Sequence, residues 1–472
     1  MKTGITKSYI SLQIIFAPRK LRRWYELVKD ERLSVDFAGV KLPSPIGVGA
    51  IATFMGSSIP DEDVARILLK STEAGAGYIS VGALCSLPEE YVLKKKSEAS
   101  SEGWQKIIRQ HFGGKPVRRW MKDGEGTFLH RLGAMGPYGI PIEGFAKSLE
   151  LKMPIINMLK KNKPAGVPII ANIEAAGDPE SFVLASKKAE EAGLDMIELN
   201  VSCPFFATVS GNIDAFLKGK FVFANMGAIM GDSPQFLEEV VKEVTEEVSI
   251  PVGVKLTPET GFPRVIEIGK RVKNAGATFV TTANMGVTIP PPDIYNKGKT
   301  TLPFTNGNPL IGYGGNPLRP IIRKHVAALS MYVPDMDVLA MGGIMNAEQA
   351  IQMMMLGAKA VGQCASVFFK GIRFLRSEIV FLQKFMKEQG YDSIEEIRKV
   401  GVEQLRTADK PEDLVAKAQI NQTKCTFCKT CVDNICAALY VKDNKVAVSE
   451  KCIGCGLCAM VCPVNAIELV KT

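Results

Sequence analysis

Eight of the chain's 11 cysteines lie between Cys425 and Cys462 in a repeated spacing. Cys425, Cys428 and Cys431 form one CxxCxxC run, and Cys452, Cys455 and Cys458 form another. Each run is trailed by one more cysteine, Cys436 and Cys462, and Pro463 follows the last. Thiolates at such intervals converge on metal. Zinc sites are built from cysteine pairs, whereas triplets with a trailing cysteine point to iron–sulfur clusters. Gly454 and Gly456 let the backbone fold tightly around such a group. A domain of about 50 residues has little core of its own, so the clusters supply much of its folding energy. No ligand is missing, so the clusters read as electron carriers that need a reaction centre elsewhere in the chain.

A second chemical signal is Met196–Pro204, Met-Ile-Glu-Leu-Asn-Val-Ser-Cys-Pro. It reads as a strand ending in Asn200, with Cys203 three residues beyond. An ordinary thiol titrates near pH ~8.5, so it is mostly protonated at neutrality yet able to give up its proton, as a general acid should. A solitary buried cysteine is usually inert core; a place at a strand's C-terminal end argues for chemistry. The three histidines, His111, His130 and His325, form no hydrolase arrangement. His130 reads first as a surface or structural residue, with an acid or substrate contact as the alternative.

The elements that must hold these residues follow a rhythm. Short apolar runs alternate with longer helical periodicity at Ser44–Ile51, Gly77–Leu84, Val167–Glu174, Met196–Cys203, Pro251–Thr257, Thr278–Asn284, Asp337–Gly343 and Ala360–Ser366. Apolar strands alternating with helices mean parallel strands covered by helices. Eight such units predict an α/β chain folded as a (β/α)8 TIM barrel, with an open doubly wound sheet as the alternative. Ala74-Gly-Ala-Gly77 precedes a strand and reads as a helix end and turn, not a dinucleotide loop. The connections Cys85–Gly144 and Met285–Arg319 are too long for simple loops, and both follow strands, on the face where barrels do chemistry. The basic residues of the first, Lys94 to Lys96, Arg109, Lys115, Arg118 and Arg119, read as solvated surface or as a cradle for an anion. The Met-rich stretch Gln352–Met355 reads as core-filling helix.

Composition excludes other classes. Hydrophobic residues make up 46% and charged residues 23%, which rules out a disordered or collagen-like chain. No apolar run is long enough to span a membrane. The clustered cysteines do not form a secreted disulfide framework, and the basic residues Arg19 to Arg23 follow the N-terminal apolar stretch instead of preceding it. A reducing, cytoplasmic location is expected, with residues 9–29 forming an amphipathic helix. The net charge of +9 gives no case for nucleic acid.

Glu198-Leu-Asn-Val-Ser-Cys-Pro204 resembles the catalytic segment of the dihydroorotate dehydrogenase family. In layout the chain is similar to the pyrimidine-reducing part of dihydropyrimidine dehydrogenase, which carries a C-terminal two-cluster domain of the bacterial ferredoxin type. Leu42-Pro-Ser-Pro-Ile-Gly47, Val254-Lys-Leu-Thr-Pro258, Val280-Thr-Thr-Ala-Asn284, Tyr313–Pro320, Met341-Gly-Gly-Ile344, Gly362-Gln-Cys-Ala365 and Met226–Asp232 carry it further. The resemblance implies FMN. It places Gly315, Gly342, Gly343, Cys364 and Ala365 at the phosphate, Ala50 under the ring by backbone contact, and the amides of Asn172, Asn200 and Asn284 at the ring or substrate. Lys255 would set a cation beside the flavin; taken alone it could be half of a core ion pair. The ferredoxin pattern implies one 4Fe–4S cluster on Cys425, Cys428, Cys431 and Cys462, and a second on Cys452, Cys455, Cys458 and Cys436. Electrons would pass singly between clusters and FMN, which exchanges a hydride with an activated C=C or CH–CH bond while Cys203 acts as acid or base.

Three features depart from the family. The second strand reads Ser80-Val-Gly-Ala83 where the family has a lysine. Neither His130-Arg-Leu-Gly133 nor Gly136–Phe145 supplies the pyrimidine-binding asparagines. Met285 follows Asn284 where the pyrimidine enzymes have threonine. Unmatched ring amides are costly, so Met135, Met285, Phe205 and Phe206 predict a less polar pocket. The expected division is a helical extension over 1–33, a barrel over 34–390, a helical linker over 391–420 and a ferredoxin domain over 421–472. The alternatives to an oxidoreductase of unassigned substrate are the catalytic subunit of an NAD(P)-linked dihydropyrimidine dehydrogenase and an electron-transfer subunit without its own substrate chemistry. The expected partner is a ferredoxin or a separate NAD(P)H/FAD subunit, and the chain is expected to form an oligomer.

Overall fold

In the computed structural model the described residues are 29–50, 61–85, 120–124, 126–130, 149–175, 178–203, 230–302, 311–407, 416–433 and 436–471. They fall into two compact units, Met1–Val402 and Glu403–Thr472. Most of the expected N-terminal extension, with its residues 9–28, lies outside the described residues.

All eight apolar runs become the strands of one closed barrel. They are β1 (Ile46–Val48), β2 (Ile79–Leu84), β3 (Ile169–Ile173), β4 (Met196–Asn200), β5 (Val252–Lys255), β6 (Phe279–Thr281), β7 (Asp337–Met341) and β8 (Ala360–Gln363). Every neighbouring pair is parallel, and β8 closes on β1. A parallel strand needs a crossover helix to return the chain, and the helices cover the outer face of the strands. Their apolar faces and the outward side chains of the strands form one continuous core. Met353 and Met354 are fully buried in it, on the helix Ala347–Met355.

The barrel interior is layered. At its base Phe37, Leu42, Tyr78, Ile170, Met196, Phe279 and Leu339 pack together. Phe37 and Leu42 come from a hairpin, Val35–Phe37 with Val40–Leu42, that closes this end. The Phe37 and Phe279 rings lie 5.1 Å apart, and the Ala38 N–H donates to Asp337 at the start of β7. Strand side chains alternate between faces, so one strand shows how the interior changes with height. The inward face of β4 reads Met196, then Glu198, then Asn200: apolar base, charged middle, amide mouth.

The two long insertions meet each other. Trp120–Lys122 and Thr127–His130 from the first pair with Ile311–Gly315 and Gly286–Thr288 from the second in a four-stranded antiparallel sheet. Leu129, Leu302 and Ile311 form its small core. The seam is tight at Gly315, where φ is +93° and a Cβ would stand 1.9 Å from the Gly126 carbonyl oxygen. Gly315→Ala is therefore expected to destabilise the barrel unit by about 3 kcal/mol, from both strain and clash. Denaturant unfolding measures this; an unmoved midpoint would mean that the insertions do not meet here. The basic segment 94–119 lies outside the described residues.

The expected helical linker over 391–420 is helix only in part. Ile394–Arg398 and Val400–Arg406 are helical, but Ala416–Ile420 is a strand paired with Ile467–Lys471. Backbone pairing with the chain's last strand draws 416–420 into the C-terminal unit.

Candidate active site and cluster-binding unit

Strand register brings the polar residues of β3 to β6 to one level. Asn172 lies beside Glu198, Asn200 beside Lys255, and Lys255 beside Thr281. Glu198 is 1% exposed and is the centre of the group. Its Oε1 accepts from the Asn172 amide and from Lys255 Nζ at 3.4 Å, and its Oε2 accepts from the Thr281 hydroxyl. Asn200 Nδ2 donates to Asn172 Oδ1 at 3.3 Å, and Asn284 Nδ2 donates to Asn200 Oδ1 at 2.9 Å. The core ion pair is thus present at Lys255, made with a residue that sequence reasoning quoted in a motif but gave no role. The signal was there: an acidic residue at an inward strand position, where only a partner makes a charge tolerable.

Cys203 lies three residues beyond the end of β4 and is half-buried. Ser202 between them is fully buried, its hydroxyl donating to Asn200 Oδ1 at 3.3 Å. The described chain resumes at Met230–Asp232, where Gly231 packs on the Val201 carbonyl. Pro204, Phe205, Phe206, Met135, residues 226–229 and both candidate asparagine registers after His130 lie outside the described residues. Met285 is 8% exposed and packs with Met345 and Ala365.

The expected phosphate residues sit at the ends of β7 and β8 and on the insertion sheet. Gly342 and Gly343 both have positive φ, and a Cβ on Gly343 would stand 2.7 Å from the Gly315 carbonyl oxygen. Arg319 clasps the two segments, donating to the Gly343 carbonyl at 3.2 Å and to Asn316 Oδ1 at 2.8 Å. Ala50 is half-buried and follows Gly49, whose N–H donates to the Gln363 carbonyl and which lies against Cys364. Burial pushes the Cys364 thiol up to about 12, against the pull of nearby Lys255, so it stays protonated. His325 is fully buried on a covering helix, between the Thr260 and Thr282 carbonyls, and plays no part at the mouth.

Behind Cys364, Gln363 donates to Glu378 and accepts from Ser366. Burial raises the Glu378 carboxyl to about 7, partly offset by the Gln363 hydrogen bond and Lys370. The folded state therefore holds a proton that the unfolded state releases near pH ~4.5. This contribution is complete below that value and is lost as pH rises through about 7, up to about 3 kcal/mol in all. Glu378→Gln is expected to raise the melting temperature at pH 8 and to leave it nearly unchanged at pH 4.5. Equal shifts at both pH values would contradict a raised carboxyl.

In the C-terminal unit, Cys425, Cys428, Cys431 and Cys462 line one pocket together with Pro463. Burial raises the Cys431 thiol, and the charges of Cys428, Cys425 and Cys462 add to it. Cys458 is raised by burial, with Cys436 and Cys452 adding likewise. The trailing cysteine of each run therefore faces the triplet of the other. Backbone N–H groups already point at sulfur, from Ala418 to Cys452, Ala438 to Cys436 and Ala466 to Cys462, at 3.2 to 3.4 Å. Among the described residues, no three His, Cys, Asp or Glu are grouped tightly enough for a single metal ion. Zinc would draw thiolates to roughly 4 Å of one another, given Zn–S bonds of about 2.3 Å. Four thiols lining one pocket are the donor set that an iron–sulfur cluster takes.

Residues 114–386 match the family model described as "Dihydroorotate dehydrogenase", and residues 446–468 match that of a 4Fe-4S binding domain. The chain belongs to the dihydroorotate dehydrogenase family. It is a flavin-dependent oxidoreductase of CH–CH groups with an iron–sulfur domain. Among its relatives, the NAD-dependent dihydropyrimidine dehydrogenase subunit PreA of Escherichia coli (strain K12) is 28% identical over 332 residues, 68% of this chain and 76% of the relative. The catalytic subunit of dihydroorotate dehydrogenase B (NAD(+)) from Thermoplasma acidophilum is 27% identical over 370 residues, 78% and 98% of the two chains. The ligand-free dihydroorotate dehydrogenase of Eimeria tenella shares the fold, with a TM-score of 0.55 at 16% identity over 80% of this chain and 98% of that one. The family match begins after β1 and β2, and β2 is the strand that lacks the family lysine. There the Ser80 hydroxyl is buried in the barrel without a hydrogen-bond partner. No described helix is long and apolar enough to cross a membrane.

Proposed function

We propose that the barrel binds FMN at the C-terminal ends of its strands and that two 4Fe–4S clusters in the C-terminal unit exchange electrons with it. The reaction reduces or oxidises an activated C=C or CH–CH bond, with Cys203 as general acid or base. The observation that carries this reading is the set of buried Lys255, Asn172 and Asn200 with half-buried Asn284 at the end of the barrel where Cys203 follows β4. A cation and three amides suit the polar edge of a flavin ring. Ala50, Cys364 and Ala365, with Gly315, Gly342 and Gly343, would hold the remainder of the cofactor. FMN, when bound, supplies hydride transfer and the one-electron steps that clusters require.

The chain's own residues then have distinct tasks. Lys255 supplies positive charge where a reduced flavin gains negative charge. Asn172, Asn200 and Asn284 orient the ring or the substrate through N–H and C=O groups held in fixed directions. Cys203 holds a proton at Sγ and gives it to, or takes it from, the substrate carbon. Met285 and Met345 keep water from one wall. Cys425, Cys428, Cys431 and Cys462 would hold one cluster, and Cys452, Cys455, Cys458 and Cys436 the other.

Anaerobic purification followed by flavin, iron and sulfide analysis tests the reading. One FMN and two clusters per chain are expected; colourless protein, or zinc in place of iron, overturns it. A second reading, the catalytic subunit of an NAD(P)-linked dihydropyrimidine dehydrogenase, is supported by the Escherichia coli relative. It requires a separate NAD(P)H/FAD subunit, whereas the first reading also accepts a ferredoxin. Uracil binding at ordinary affinity would favour the second; its absence favours a less polar substrate, as Met285 suggests.

A further inference from the structure

We propose that Glu198 is a positioning residue: one carboxylate on β4 sets the direction of every amide in the Asn172–Asn200–Asn284 chain and anchors Lys255. The proposal rests on the reading that flavin binds at this mouth, and assigns what orders it. A carboxylate can only accept hydrogen bonds. Glu198 Oε1 therefore takes the N–H of Asn172. That leaves Asn172 Oδ1 facing Asn200 Nδ2 at 3.3 Å, and Asn200 Oδ1 facing Asn284 Nδ2 at 2.9 Å. The far end is pinned too, since Asn284 Oδ1 accepts from the backbone N–H of Met285 at 2.8 Å. A backbone N–H can only donate. An acceptor at one end and a donor at the other demand the same orientation, so reversing any amide would set donor against donor in a buried site.

The same oxygen that orders the amides receives Lys255 Nζ; Lys255 is 5% exposed and has Glu198 as its ion-pair partner. Thr281 completes the carboxylate from β6. One residue thus links β3, β4, β5 and β6 and governs both the amide pattern and the net charge offered to a ligand. The Glu198 carboxylate stands against Lys255, so the positive field Lys255 offers a flavin is weaker than that of an unpaired cation.

The test is Glu198→Gln in the full-length holoprotein, read by flavin content and flavin reduction potential. Glutamine keeps an acceptor oxygen and removes the charge. Flavin content should stay near that of the wild type. The reduction equilibrium should shift at least tenfold toward reduced flavin, about 30 mV for a two-electron couple. A purely structural role would lower thermal stability and leave the potential within twofold of the wild type, and that result overturns the proposal. Wild-type protein without flavin would instead sink the cofactor reading. In that event the pair is tested in the flavin-free chain by a thermodynamic cycle of Glu198→Gln, Lys255→Met and the double variant. The double variant should be at least tenfold more stable, as an unfolding constant, than additivity predicts. Additive effects overturn the anchoring of Lys255. If Glu198→Gln fails to fold, the double variant should fold again, and its failure would overturn the proposal equally.

Discussion

Replacing Cys203 with serine is expected to lower turnover by about 10²–10⁴-fold, the range that general acid–base catalysis contributes. A hydroxyl is far less acidic than a thiol and makes a poor proton donor or acceptor for a carbon centre. The effect should be confined to the substrate step. Lys255 and the asparagines lie on the strands and at their ends, whereas Cys203 lies beyond β4 in the segment that follows. Flavin content, the flavin spectrum and electron transfer between clusters and flavin should therefore match the wild type. Steady-state turnover beside rapid-mixing reduction of the flavin separates the two steps. Turnover within a few-fold of the wild type would remove Cys203 from the mechanism and leave the electron-transfer reading in possession.

The second large effect is expected from Cys431→Ser. Among the described residues of the C-terminal unit, one cluster of six buried side chains packs together: Ala418, Cys431, Leu439, Val446, Cys458 and Ile467. Two of these are proposed ligands. So small an apolar core cannot offset the entropy of ordering the chain, and metal–thiolate bonding must supply the difference. Loss of one ligand should remove one cluster's iron and destabilise the unit by several kcal/mol, comparable to the whole stability of a small domain. The barrel has its own continuous core and should keep its flavin. Iron analysis and limited proteolysis measure both parts: cleavage should spread through the C-terminal unit and spare the barrel. Full iron content with unchanged protease resistance would show that Cys431 holds no cluster.

The two units were legible in the residues to different depths. The eight strands were readable because a buried parallel strand is a continuous apolar run, and this is a local pattern. Each run contains its strand, trimmed by one or a few residues at the ends. The thiol triplets were readable for the same reason, since CxxC spacing is set by local backbone reach. Cys203 was placed beyond Asn200 by counting along one strand. The linker over 391–420 was misjudged at its end because Ala416–Ile420 has no strong pattern of its own. It is a strand because Ile467–Lys471 lies beside it.

The rest depends on contacts between residues distant in sequence. Glu198 meets Asn172, Lys255 and Thr281 across 26, 57 and 83 positions. No spacing rule announces such a group; barrel closure and strand register bring the four side chains to one height. The pairing of the two insertions, through Gly315 and Gly126, arises in the same way. Periodicity along the chain records which side chains must be buried. Which buried charges and amides then face one another is settled by the closed sheet, where an unpaired polar group is too costly to leave alone.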